Sequence, residues 1–115
     1  MFLEIEVPLD CVPSIFETNE ITEGMCKDVP GIGLLRLLPM LQEERAEGLA
    51  YDSMPFPTLI VSLGASVAVN VFSSWLYDKL KGSAARRIRI NRRRAEITPD
   101  GILKAVEETI ELEER

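Results

Sequence analysis

The chain contains no histidine. That absence removes Ser-His-Asp and Cys-His nucleophilic systems, imidazole metal sites and the usual general base near neutral pH. Cysteine is scarce too: Cys11 and Cys26 are the two in the chain, and two thiolates without an imidazole do not complete a structural zinc site. No basic region, apolar run and cleavage site open the sequence, so reduced thiols in a cytoplasmic protein are expected. Aromatic residues make up 6% of the chain. The single Gly31-Ile32-Gly33 lacks the third glycine and the preceding strand of a phosphate-binding loop. Carboxylates, lysines and a thiol remain for catalysis, and they form no recognisable constellation. The expectation is a protein that is no enzyme and uses no cofactor or metal.

What is present suits one globular domain: 115 residues, 46% apolar and 28% charged, enough for a single core without staples. The net charge of -6 is unevenly spread. Residues 1–57 hold eleven acids against three bases, and residues 95–115 seven acids against two. Between them Lys79, Lys81, Arg86, Arg87, Arg89, Arg92, Arg93 and Arg94 face the single acid Asp78. A basic segment within an acidic protein is a candidate contact surface, and these eight residues are the candidate partner-binding patch.

Along the chain, Leu3, Ile5 and Val7 alternate with Glu4 and Glu6, the pattern of a strand with one wet side, closed by Pro8. From Leu9 to Val29 a short helix and an irregular segment fit equally well; Ser14 and Glu17 have capping-box spacing, while Gly24 interrupts. Turn residues at Pro30 to Gly33 release a leucine-rich run that reads as a helix, with Leu34, Leu38, Leu41 and Arg45 on one face, Glu43, Glu44 and Glu47 outside, Gly48 as its stop and Pro39 as a break or kink.

Thr58 to Tyr77 carries no charge over twenty residues, the least that spans a bilayer as a helix, and the basic cluster that follows suits a cytoplasmic flank. Ser62, Ser66, Asn70 and Ser73/Ser74 recur every three or four residues, which places them in one stripe of a helix. A small polar stripe opposite Val61, Val67, Val71 and Trp75 fits a central helix packed within a small protein. It also fits a small-residue seam between membrane helices, or a face for a second copy through Ser62, Ser66 and Asn70. Membrane association is therefore the alternative to a cytoplasmic location.

The following segment favours the first of these. Ile88 and Ile90, then Ala95 and Ile97, alternate with charged residues, and Asn91-Arg92 serves as a tight turn. In that register Arg87 faces Glu96 and Arg89 faces Arg94. Thr98 caps a last helix with Pro99 at its first position and Asp100 in its first turn, its apolar face formed by Ile102, Leu103, Val106 and Ile110. The expected fold is α+β: an N-terminal strand, a leucine-rich helix, a central apolar helix, a basic hairpin and an amphipathic C-terminal helix.

A helix rich in Gly, Ala and Ser that is closed by Ser74-Trp75-Leu76, then a basic stretch, an arginine-bearing strand, a second strand and a last helix with acidic residues, together the pattern of the string from Gly64 to Leu112, resembles the effector-associated constant component proteins of bacterial conflict systems. The likeness spans roughly residues 58–112 and departs at the hairpin, where Arg92-Arg93-Arg94 replaces a small turn with aspartate and glycine. It implies a non-catalytic partner of an effector and brings no functional residues with it. The reading is thus a small accessory or adaptor protein acting by protein–protein contact. Nucleic-acid binding through the arginines is the second reading, weakened by the lack of an aromatic residue in the hairpin. An acidic inhibitor that mimics DNA is a further one, resting on the charge of the N-terminal half. The bland reading of the patch is that its arginines simply pair with the acidic last helix and the first strand.

Overall fold

In a computed structural model, residues 1–39 and 56–113 are described. Among these described residues six strands form one antiparallel sheet: β1 (Phe2–Glu6), β2 (Cys26–Val29), β3 (Gly33–Leu37), β4 (Thr58–Leu63), β5 (Arg87–Ile90) and β6 (Arg93–Glu96), in the order β2-β3-β4-β1-β5-β6. A 3-10 turn (Leu9–Cys11) leads into the short helix α1 (Val12–Phe16), and two longer helices follow, α2 (Val69–Leu80) and α3 (Pro99–Glu113). The expected α+β class is borne out.

Period-two alternation decides which side of the sheet is dry. Leu3, Ile5 and Val7 are fully buried, as are Leu35, Val61 and Ile90. Their cross-strand register, Leu3 with Val61, Val61 with Leu35 and Ile5 with Ile90, stacks them on one face. The helices supply Phe72, Leu76, Leu80, Ile102 and Val106 to the same core, and α2 packs against α3. Each such side chain contributes about 1.5–3 kcal/mol by leaving water. The opposite face carries Phe2, Glu4, Glu6, Leu34, Arg36, Arg87 and Arg89, none of them buried.

Two expected helices are corrected. The leucine run enters the sheet: Leu35 and Leu37 are buried while Leu34 and Arg36 are exposed, an alternation that no helix gives. Leucine favours helices intrinsically, but pairing with β2 and β4 on both edges overrides a preference of a few tenths of a kcal/mol. Leu41, Glu43, Glu44, Arg45, Glu47 and Gly48 of that expected helix lie outside the described residues.

The uncharged stretch is not one helix either. Thr58–Leu63 is strand β4 between β1 and β3; a turn at Gly64–Ser66 ends it, and α2 begins only at Val69. β-Branched residues such as Thr58, Ile60 and Val61 fit the pleated centre of a sheet. The expected stripe therefore dissolves: Ser62 is on a strand, Ser66 in a turn and Asn70 on α2, so no single helical face presents them to a second copy. Ser73 is buried and donates to the Val69 carbonyl at 2.8 Å. Among the described residues no helix is long and apolar enough to cross a membrane. The Ser14–Glu17 capping box does not form; Ser14 lies within α1, and Glu17 ends it in the left-handed region at φ 55°.

The hairpin and the last helix follow the sequence closely. Arg87 faces Glu96 and Arg89 faces Arg94, and the Gly101 N–H donates to Thr98 Oγ1 at 2.9 Å as a cap. Both turn residues have positive φ, Asn91 at 49° and Arg92 at 69°, as a type I′ turn demands. Asn91 also ties the turn to β1: its N–H donates to the Glu4 carbonyl and its Oδ1 accepts from the Glu4 N–H, both at 2.7 Å. Arg92 has no such compensation. Arg92→Gly is expected to raise stability by about 1 kcal/mol by relieving left-handed strain; a urea midpoint that falls would contradict the turn geometry.

Candidate functional site

The hairpin brings part of the predicted basic patch together and scatters the rest. Arg87, Arg89 and Arg94 share the open face of the sheet, because residues paired across an antiparallel ladder point the same way. Arg86 precedes β5, and these four line a cleft of about 680 Å³ with Glu6 and Phe56. Arg93 points to the other face, where its guanidinium lies 3.6 Å from Glu108 of α3. Arg92 sits at the far end of the hairpin, beside Phe2. Lys79 pairs with Glu17 at 3.3 Å, and Lys81 with Asp78 at 2.8 Å. Lys81 also borders a groove that Arg86 and Arg87 share.

The ion pairs sort the patch by role. Lys27, 2.7 Å from Glu17, and then Lys79 hold the Glu17 carboxyl below the usual carboxylate range, tying the end of α1 to β2 and α2. By contrast, Arg86, Arg87, Arg89, Arg92 and Arg94 take part in no ion pair among the described residues. Among the described residues, the bland reading, with the arginines absorbed by the protein's own acids, applies to Arg93 alone. Arg89 and Arg94 face each other with like charge, which costs about 0.2–1 kcal/mol. Burial near the Arg89–Arg94 end does not explain this arrangement: all four cleft arginines are exposed.

The cleft exists because β1 stops early. β1 pairs with β5 only at Ile5–Ile90 and Glu6–Arg89, and the Asn91 N–H bond to Glu4 fixes which positions are bonded. Two residues on, the next bonded position would pair Pro8 with Arg87. Proline has no N–H to give. The Pro8 carbonyl accepts instead from the Cys11 N–H at 3.0 Å, entering the 3-10 turn that follows the strand, while the Val7 N–H, donating to Pro57 at 3.0 Å, continues the β1–β4 register on the other side. On the β6 side the bonded neighbours are Arg86 and Ile97, the Ile97 N–H donating to Arg86 at 2.9 Å. Alternation therefore directs the Arg87 N–H and C=O into the cleft, and neither is hydrogen-bonded among the described residues.

Glu6, Phe56, Ala85 and the main chain of Arg87 are parts of this cleft that the sequence did not single out as a site; Pro8, read as a strand stop, was the available signal. The two thiols are separate: Cys11 is buried, its pKa raised by desolvation, and Cys26 is exposed. Among the described residues no three His, Cys, Asp or Glu side chains gather to hold a metal. No known protein family matches the chain, and neither a curated protein nor a solved structure matches it.

Proposed function

We propose that this is a small non-catalytic accessory or adaptor protein that docks an acidic surface of another protein through the arginine end of its sheet. The observation that carries the reading is the set Arg86, Arg87, Arg89 and Arg94, exposed around one cleft and free of ion pairs among the described residues. Exposed ion pairs contribute only about 0–1 kcal/mol to a fold, so the folded state gains little from holding four guanidiniums together. A carboxylate-bearing partner relieves the Arg89–Arg94 repulsion and is steered by the local positive field. The likeness of residues 58–112 to effector-associated constant component proteins supports the same direction, toward a cytoplasmic partner of an effector in a bacterial defence or conflict system.

Nucleic acid is the competing ligand for the same arginines, and its binding would fall steeply with salt. Glu6 within the cleft and the acidity of the whole chain, -6, weigh against a polyanion. The test is affinity capture by the native protein with nuclease present, compared with the variant combining Arg87→Glu, Arg89→Glu and Arg94→Glu. A nuclease-resistant protein partner, bound about 30-fold or more weakly by the variant, is the expected result. Capture that survives charge reversal, or that vanishes with nuclease, would overturn the reading.

A further inference from the structure

The cleft offers more than charge. Along β5 the main-chain N–H and C=O of Arg87 form one bonding position of an unfinished ladder, next to the finished one at Glu6 and Arg89. Such a position takes a peptide, which brings one donor and one acceptor per residue. A phosphodiester brings acceptors only, and so would leave the Arg87 carbonyl unmatched. Side chains on the open face at this place are Arg87, Arg89 and Arg94, with Glu96 opposite Arg87 and Glu6 opposite Arg89, so alternate side chains of an incoming strand would meet three guanidiniums set against two carboxylates. Phe56, partly exposed at 36%, supplies an apolar wall across from β5. The volume, about 680 Å³, lies within the about 300–1,000 Å³ usual for ligand clefts.

Resting on the docking reading above, we infer that an acidic segment of the partner protein binds in extended form beside the first half of β5, continuing the line of β1 beyond Pro8. Its main chain bonds the N–H and C=O of Arg87, and its carboxylates meet Arg87, Arg89 and Arg94. Pro8 is the device that keeps the place open: with no N–H, and its carbonyl engaged by Cys11, the protein's own first strand does not fill it. The arginines select among strands, since an exposed strand edge that is charged rejects neutral or basic ones.

The test uses the intact protein and a short capped peptide alternating glutamate and valine, followed by amide NMR and hydrogen exchange. Addition of the peptide is expected to slow exchange of the Arg87 amide at least about tenfold. N-methylation of the peptide on the residues that face β5 should weaken binding by about tenfold or more, and methylation on the alternate residues should not. A lysine–valine peptide should not bind. Equal binding of all methylated forms with Arg87 exchange unchanged would overturn strand addition while leaving charge-based docking intact. No binding of the glutamate peptide at millimolar concentration, or preferential binding of a single-stranded oligonucleotide, would also overturn it. Loss of the captured partner on charge reversal reads the docking itself, independently of these peptides.

Discussion

Replacing Phe72 with alanine is expected to remove about 3–5 kcal/mol of folding free energy, a large part of the about 5–15 kcal/mol available to a domain. Phe72 is fully buried and stacks near Trp75 with ring centroids 6.0 Å apart. Its ring lies in the core that joins α2 and α3 to the sheet, and the alanine variant leaves a cavity that rigid strands on one side do not fill. The urea midpoint should fall with the slope unchanged, since the surface exposed on unfolding is nearly the same. Val71, its neighbour, is 49% exposed, and Val71→Ala should change stability by less than about 0.5 kcal/mol. Had the uncharged stretch been one continuous helix with Val61, Val67, Val71 and Trp75 inward, Val71→Ala would have been costly as well. The pair of variants therefore separates the two architectures.

Gly33→Ala should be nearly as damaging, at about 3 kcal/mol or more, for two reasons that act together. Its φ is 145°, where L side chains rarely go, and an added Cβ would collide with the Ser62 main-chain carbonyl of β4. Because that obstacle is backbone in the middle of a sheet, the collision is relieved only by parting β3 from β4. Gly31 is the control: its φ is 81°, but nothing lies within 4 Å of the added Cβ, so Gly31→Ala should cost only about 1–2 kcal/mol of strain. Thermal unfolding of both variants checks the difference. Equal losses would mean that β3 does not lie against β4 at Ser62.

Elements set by local chemistry were legible in the sequence. Alternation wrote β1 and both hairpin strands, the Asn91-Arg92 turn set their register, and Thr98 with Pro99 marked the start of α3. β3 and β4 were not legible in this way, because Leu34–Leu38 and Thr58–Leu63 are apolar on nearly every position and suit either period. Their state is decided by partners far along the chain: Leu59 pairs with Ile5 on one edge and with Leu37 on the other. Pro57 and Gly64, bracketing six residues, were the local hint of a strand. The site divides the same way. Arg87, Arg89 and Arg94 followed from the hairpin register alone, but Glu6 and Phe56 reach them only through β1–β5 pairing, a tertiary contact that periodicity does not encode. Lys79, Lys81 and Arg93, adjacent to those arginines in sequence, are drawn elsewhere by Glu17, Asp78 and Glu108.

The placement of β1 between β4 and β5 holds the whole account together, since it takes the first six residues of the uncharged run, Thr58–Leu63, into the sheet and leaves the arginine-lined gap beyond Pro8. Backbone nuclear Overhauser contacts test it most directly. Cross-strand contacts joining Leu3 to Val61, Val61 to Leu35 and Ile5 to Ile90 are the predicted result. An unbroken series of helical i to i+3 contacts from Thr58 through Tyr77, with those cross-strand contacts missing, would contradict it.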